Sequence, residues 1–424
     1  MRDPLPNLLV EPSNTAGPPA AAASPNVFED SRWARGLLLC IGLGLGLLLS
    51  EVGARVLVAV RWPPEKVLLY TSHSGIRGRF IIDPGIGYRG TPGFRDRSGR
   101  FRHNEYGFRG APFSVAKPTG TIRIVLMGAS TIYGVVDESQ TSAVQLAKRL
   151  QDSASSVPVE VLNGGLAGWT SFETARHLEH RVVALAPDLV IVMDGRNEIF
   201  PELFRNYRED YSHYRDPHRD TIHSNYWYKK LFRVSHLAML LATGGRGHLG
   251  FNSDSENPAY ASIRTENRPS QEEMIQFSRD PARLEGYRRN LAREIGIAHA
   301  RGITIALATM PFDVDRFVSG VLPVPRNGGK QALAEMVRRN NDLVRQMARD
   351  SNVILVEAAA LSQVPGLLRD DCHFTPAGEQ AFADLLAAAL ADWMRERAGH
   401  VAGERNGPGD PLAGGNRRRH EKAS

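Results

Sequence analysis

The feature that most limits how this chain can fold is the alternation of largely apolar runs with longer helical segments between residues 121 and 397. Five runs predict strands, at Ile122–Met127, Val159–Asn163, Asp188–Met193, Ile303–Thr309 and Asn352–Glu357. A strand that is apolar on both faces must be covered on both faces, as happens in parallel sheets with crossover helices. The sequence therefore predicts a three-layer α/β/α fold around a five-stranded, mostly parallel sheet.

The intervening segments predict helices at 139–152, at 171–186, before Ala300 and at Thr375–Arg397. The last of these opens with Thr375 and Pro376, which suit the N-cap and first turn of a helix. A long insertion, about 198–280, separates the third and fourth strands. A connection of that length is typical of a lid, a binding loop or a disordered segment. Trp227, between Tyr226 and Tyr228, favours a substrate-facing lid, and a surface excursion packed on the domain is the equal alternative.

Residues 32–61 predict a membrane-spanning helix. The apolar run Gly36–Ser50 is short, but counting through Glu51 and Arg55 to Val60 gives the roughly 20 residues that a span needs. Glu51 and Arg55 lie one helical turn apart, so they can pair or extend towards the interface. We expect a single-pass signal anchor with the following domain outside the cytoplasm. A cleaved signal peptide and a buried soluble helix are the alternatives; the long leader opposes the first, and the lack of a polar face opposes the second.

The remaining segments flank the main domain. Residues 1–31, rich in Pro and Ala, predict a disordered cytoplasmic tail, and residues 398–424 a disordered basic tail. Residues 62–120 are rich in Gly, Pro and Arg, which predicts a small β-rich lead-in.

Charge and cysteine content exclude several classes of function. The net charge is +6 over 424 residues, but the arginines are scattered except at 417–419. Without a basic face interleaved with aromatics, we expect no nucleic-acid partner.

Cys40 and Cys372 are the only cysteines, so there is no disulfide framework. Cys372 adjoins a histidine, which leaves a nucleophilic cysteine as an alternative, although catalytic partners are usually distant in sequence. No zinc or P-loop motif is present, so we expect no metal or organic cofactor.

Polar residues follow four of the predicted elements. They lie at Gly128–Thr131, Asn163–Thr170, Asp194–Glu198 and Asp370–His373. Taken singly, each is typical of a turn or a helix cap. Together they converge, because open parallel sheets bind ligands at the carboxyl ends of their strands.

The order and spacing of these clusters resemble the SGNH (GDSL-like) hydrolase family, in its membrane-anchored bacterial type. Gly128-Ala129-Ser130 is similar to the family's Gly-Asp-Ser block, and Asn163 to Thr170 fits its N-x-x-x-x-G-x-T block. Gly195-Arg196-Asn197-Glu198 is similar to G-x-N-D, and Asp370 to His373 fits D-x-x-H. The resemblance covers about residues 121–396 and implies a flavodoxin-like fold. Ala129 and Glu198 depart from the family's aspartates.

The resemblance implies that Ser130, Asp370 and His373 form a catalytic triad. It also implies an oxyanion hole made by the backbone N–H groups of Ser130 and Gly168 and the side-chain amide of Asn197.

We further expect Trp169 and Trp227 to contact substrate. The predicted function is hydrolysis of an acyl or acetyl ester on a small molecule, envelope glycan or lipid. The alternatives are an O-acyltransferase with the same triad, and a catalytically silent, membrane-tethered binding or assembly protein, which Ala129 would favour.

Overall fold

The computed structural model describes residues 32–62, 67, 79–83, 85–96, 98–154, 157–214, 227–242, 269–317 and 329–406. The chain divides into two compact units, residues 1–53 and 54–424. Tyr226 and the predicted tail at 1–31 lie outside the described residues.

The main sheet has five strands, all parallel, and confirms the predicted fold. In chain order they are β3 (Ile122–Gly128), β4 (Val159–Asn163), β5 (Leu189–Met193), β6 (Thr304–Ala308) and β7 (Ile354–Val356). They lie side by side in the order β4-β3-β5-β6-β7. The connection after β3 leads to β4 on one side of it, and the connection after β4 leads to β5 on its other side. This reversal opens a crevice above the carboxyl end of β3.

Helices connect and cover these strands. The α-helices that follow the lead-in are Ser130–Tyr133, Ser142–Ala154, Ser171–His177, Ile199–Glu202, Trp227–Val234, His236–Ala242, Gln271–Phe277, Glu285–Ala300, Gly329–Asp350, Pro376–Ala389 and Ala391–Asn406. The predicted helix at 171–186 continues past His177 as the π-helix Leu178–Val182 and the 3₁₀ turn Val183–Leu185. Further 3₁₀ turns lie at Glu138–Gln140, Pro281–Leu284, Val314–Arg316 and Ala358–Gln363.

The alternating side chains of β3 show why both faces of the sheet are covered. Ile124 and Leu126 pack into one buried cluster, together with Leu386 of the C-terminal helices. Val125 and Met127 point to the opposite face and join a second buried cluster. Successive side chains of a strand point to opposite faces of the sheet, so large apolar side chains at every position require a covering layer on each face. A shift of one residue in register would exchange the two sets of side chains, so this packing also determines the register.

Two predictions near the C-terminus are corrected. The final helix is interrupted at Leu390, and a second helix, Ala391–Asn406, follows it. The predicted disorder from residue 398 is therefore wrong up to Asn406. Val401 is only 3% exposed in the core, and this buried apolar contact offsets the polar composition of the segment.

The insertion is partly built into the core. Leu203, Tyr211 and Tyr214 are almost wholly buried, which supports the packed alternative for its first part. Its later described residues form the helices Trp227–Val234 and His236–Ala242.

The described part of the lead-in contains one pair of short strands and packs closely on the main domain. The strands β1 (Phe80–Asp83) and β2 (Gly87–Gly90) form an antiparallel pair. Tyr88 of β2 packs with Trp169, and its hydroxyl donates to Ala167 O at 2.9 Å. An isolated bridge joins Arg109 of the lead-in to Asn163 at the end of β4.

The N-terminal apolar segment forms one helix, Arg32–Arg61. Its stretch Trp33–Arg61 has 29 residues, and its most apolar window has a mean hydropathy of 2.1. At 1.5 Å per residue the stretch is about 43 Å long, more than the roughly 30 Å of a hydrocarbon core. The helix is thus long and apolar enough to cross a membrane, and a signal sequence has the same properties.

Candidate active site

Ser130 lies at the carboxyl end of the central strand. β3 ends at Gly128, and Ser130 is the first residue of the one-turn helix Ser130–Tyr133. The loop after β4 is tied to the same strand end, because Leu166 N donates to Gly128 O at 3.0 Å. The polar clusters therefore meet above β3, as the topology predicts.

Ser130, His373 and Asp370 form a continuous chain of hydrogen bonds. Ser130 Oγ lies 2.8 Å from His373 Nε2. His373 Nδ1 lies 2.9 Å from both carboxylate oxygens of Asp370. An ionised carboxylate can only accept, so a neutral imidazole must carry its proton on Nδ1. Nε2 is then free to accept the Ser130 proton, as a general base requires.

The local charges favour this arrangement. Burial raises the pKa of Asp370, but hydrogen bonds and charge from His373 and two backbone N–H groups outweigh it and lower the pKa to about 2. Burial lowers the pKa of His373, whereas the Cys372 sulfur and the Asp370 carboxylate raise it, and the net pKa is above its usual range. Asp370 is therefore a carboxylate at any neutral pH and stabilises the imidazolium form of His373.

Asp371, next in the chain, has a different partner. Its carboxylate pairs with the guanidinium of Arg196 at 2.9 Å. Arg196 lies between the rings of Phe200 and Phe317 and donates to Asn197 Oδ1 at 3.3 Å. This ion pair links the loop after β5 to the Asp370 loop. Sequence reasoning missed this ion pair, because the position before Asn197 carries no fixed residue in the motif.

Asn197 and Gly168 lie at the same corner of the site. Asn197 Nδ2 donates to Trp169 O at 2.8 Å, and Trp169 follows Gly168 directly. With Arg196 on its oxygen and Trp169 O on its nitrogen, the orientation of the Asn197 amide is fixed. Gly168 has φ of +80°, a backbone conformation that any residue with a Cβ would adopt only with strain.

Glu198, which departs from the family's aspartate, is fully buried. Its carboxylate accepts from Ser171 N at 2.7 Å, Ser171 Oγ at 3.0 Å and the hydroxyl of Tyr211. Burial raises the pKa of Glu198 to about 7, although these hydrogen bonds oppose the shift. The longer side chain thus joins the loop of Asn197 to the helix that follows Gly168.

The two predicted substrate contacts have different outcomes. Trp169 is only 1% exposed, and its Nε1 donates to Tyr88 O at 3.2 Å. Its ring packs against His177, so the structure places it in the interior and not on an open binding surface. Trp227 begins the helix Trp227–Val234, and its side chain lies outside the described residues.

Cys372 is buried, and its Sγ lies 3.8 Å from His373 Nδ1. Asp370, Cys372 and His373 bring metal-ligand atoms within 4.8 Å of one another among the described residues. Nδ1 is already hydrogen-bonded to Asp370 while Nε2 faces Ser130. The geometry therefore fits a base with its orienting acid better than a metal site.

Comparisons with known proteins give the family of the chain. The model of the GDSL-like Lipase/Acylhydrolase family matches residues 126–381. No curated protein matches the chain. Among solved structures, it is similar to the lipase/acylhydrolase from Enterococcus faecalis (17% identity, TM-score 0.35, 66% of this chain and 97% of the other). It is also similar to Axe2, an acetylxylan esterase from Geobacillus stearothermophilus (15% identity, TM-score 0.35, 64% and 95%). Such low identities and TM-scores carry no information about substrate.

Proposed function

The chain belongs to the GDSL-like lipase/acylhydrolase family and is a hydrolase acting on ester bonds, and from this premise we propose that Ser130, His373 and Asp370 are its catalytic triad. The observation that carries the proposal is the 2.8 Å contact between Ser130 Oγ and His373 Nε2, with Asp370 on the far side of the ring. Nucleophile, base and orienting acid are thus within hydrogen-bond reach of each other.

The proposed reaction has two steps. In the first, Ser130 Oγ attacks the ester carbonyl carbon while His373 Nε2 takes the hydroxyl proton. The tetrahedral intermediate collapses when His373 returns that proton to the leaving alcohol, which leaves an acyl-serine. In the second, water attacks the acyl carbon, again through His373, and releases the carboxylic acid and Ser130. Asp370 holds the imidazole and stabilises its charged form throughout.

The proposed oxyanion donors are the backbone N–H groups of Ser130 and Gly168 and the amide of Asn197. Support comes from their shared corner above β3 and from the fixed orientation of the Asn197 amide. Donors that are already aligned before the reaction stabilise the developing negative charge without reorganisation.

For the substrate we propose an acyl or acetyl ester on an envelope glycan or lipid. The support is the apolar helix Arg32–Arg61, which is long enough to hold the hydrolase at a membrane. We propose that this helix is a single-pass anchor and that the hydrolase domain lies outside the cytoplasm. A reporter active only outside the cytoplasm, fused after residue 406, tests the orientation. Activity there is expected, and activity only of a cytoplasmic reporter would reverse it.

The test of the triad is labelling of the purified protein with a fluorophosphonate, together with turnover of p-nitrophenyl acetate. Wild type should label and turn over, and Ser130→Ala should do neither. Cys372→Ala is the matched control, since it removes the neighbouring thiol and should leave labelling intact. A folded wild type that does not label, or labelling that survives in Ser130→Ala, would refute the assignment of Ser130.

A further inference from the structure

The helix that begins at Ser130 is only one turn long. A helix end leaves its last carbonyl groups without intrahelical partners, and in a four-residue helix those carbonyls lie within one turn of the nucleophile. Ala129, just before it, has a methyl group where the family has an aspartate, so its side chain cannot hydrogen-bond to the turn, whereas its carbonyl accepts from Tyr133 N at 3.0 Å. Other side chains must hold this helix in place.

We propose that Arg109, supplied by the lead-in, is a positioning residue for the Ser130 nucleophile. This inference rests on the proposed function, because it assigns Arg109 a part in the reaction of Ser130. Its guanidinium donates to the carbonyls of Tyr133 and Gly134 through one nitrogen and to Val136 O through the other. The single guanidinium group thus donates to three carbonyls at the C-terminal end of the turn. Positive charge at that end also interacts favourably with the helix dipole.

Asn163 completes the same contact from the main domain. Its Nδ2 donates to Ile132 O at 2.9 Å, and its backbone is bridged to that of Arg109. Two residues that are paired through their main chains therefore direct their side chains to one helix end. This pairing fixes the lead-in in register with the end of β4.

The surroundings leave Arg109 little freedom. It is 3% exposed, and the buried carboxylate of Glu379 contributes a compensating charge. Gly134 has φ of +81°, and a Cβ there would lie 3.0 Å from both Arg109 Nη1 and Glu379 Oε1. The chain thus bends around the guanidinium with no room for a side chain.

The lead-in also holds the last residue of the helix, Tyr133. The Tyr133 hydroxyl lies 2.8 Å from His103 Nε2, and Arg79 Nε donates to it at 3.3 Å. The Tyr133 ring stacks on Phe101 with a centroid distance of 5.8 Å. Lead-in residues therefore contact both the main chain and the side chain at this end of the turn, and Ser130 lies at its other end.

The experiment compares Arg109→Met with Arg123→Met in the full chain. Arg123 is the matched control because it is equally buried and also donates to three carbonyls, those of Ser114, Val115 and Leu185. Those carbonyls are far in sequence from Ser130, and Arg123 lies towards the opposite end of β3. Both variants should lower the melting temperature.

The readout specific to positioning is the rate of fluorophosphonate labelling of the folded protein. A nucleophile misplaced by about 1 Å loses roughly 100-fold in rate. We therefore expect Arg109→Met to label and turn over on the order of 100-fold more slowly with KM nearly unchanged, and Arg123→Met to label at the wild-type rate. Arg109→Lys, which keeps the charge without the fork, should be intermediate and serves if Arg109→Met does not fold. Equal labelling of wild type and a folded Arg109 variant would overturn the proposal.

A second measurement separates this proposal from the proposed function. Hydrogen exchange of the peptide covering residues 129–137 does not depend on catalysis. Faster exchange there in an Arg109 variant, and not in Arg123→Met, is expected. If wild type fails to label, the triad assignment fails, while unchanged exchange in the Arg109 variants would overturn the positioning role by itself.

Discussion

Replacing Asp370 with asparagine tests the electrostatic argument for the triad. The pKa of Asp370 falls from 3.8 to about 2 in the folded protein. One pKa unit corresponds to about 1.4 kcal/mol, so the shift amounts to roughly 2.4 kcal/mol. Because the carboxylate is 31% exposed, we reduce this to about 2 kcal/mol for solvent screening. The same carboxylate, together with the Cys372 sulfur, raises the pKa of the His373 imidazole.

The sign of the effect follows from the proposed role of His373 as a base. Only the neutral imidazole can take the Ser130 proton, so the rate should rise with pH through the pKa of His373. Asp370→Asn should move this acid limb to lower pH, because the carboxylate that raises the pKa of His373 is lost. It should also lower kcat by about 10⁴-fold, because the amide favours the wrong imidazole tautomer.

The assay is the pH dependence of fluorophosphonate labelling and of kcat/KM. Asp371→Asn is the matched control, since the same change one residue away removes only the partner of Arg196. Asp371→Asn should lower kcat/KM much less than Asp370→Asn does, and the acid limb of its pH profile should stay in place. A limb that does not move in Asp370→Asn, or a larger loss in Asp371→Asn, would refute the reasoning.

Three further predictions concern the surroundings of the triad. Asn197→Ala should lower kcat by about 10²–10³-fold, as loss of one oxyanion donor does, and an unchanged kcat would exclude that role. Folding raises the pKa of Glu198 from its ordinary value of 4.5 to about 7. Between these pH values the folded protein keeps a proton on Glu198 that the unfolded chain has lost. The free energy of unfolding should therefore fall as the pH rises from about 4.5 to 7. Glu198→Gln should remove about 3 kcal/mol of this decline in urea titrations at pH 5 and 8, and an identical decline in both proteins would contradict the assignment. Trp169→Phe should lower the melting temperature by losing the bond to Tyr88 O with KM unchanged, whereas a raised KM at an unchanged melting temperature would restore its role in substrate binding.

The sequence was sufficient to predict the sheet because its central strands carry large apolar side chains on both faces. Ile124 and Val125, adjacent in the chain, pack into different buried clusters, and only a covered parallel sheet accepts such a pattern. The same reasoning identified which loops meet, since the carboxyl ends of parallel strands share one edge. The proximity of Ser130 and His373, 243 residues apart, follows from that topology.

What the sequence could not predict depends on contacts between distant side chains. Trp169 beside a functional glycine suggests a substrate contact, and only the lead-in strand β2 shows that it is covered. The chain from residue 398 is polar enough to suggest disorder, yet the helix Ala391–Asn406 continues through its first residues, anchored by the buried side chains of Met394 and Val401. Arg109 lies in a Gly- and Arg-rich stretch, and no local pattern identifies its partners.

The packing of the lead-in has a consequence for how the chain folds as it is made. Tyr88 bonds to a carbonyl 79 residues later, and Arg176 bonds back to Gly85 across 91 residues. At about 5–20 residues per second of synthesis, the lead-in waits roughly 5–20 s for these partners. During that time its apolar side chains are open to chaperones and to misfolding, so the lead-in completes its packing only after β3 and β4 have been made.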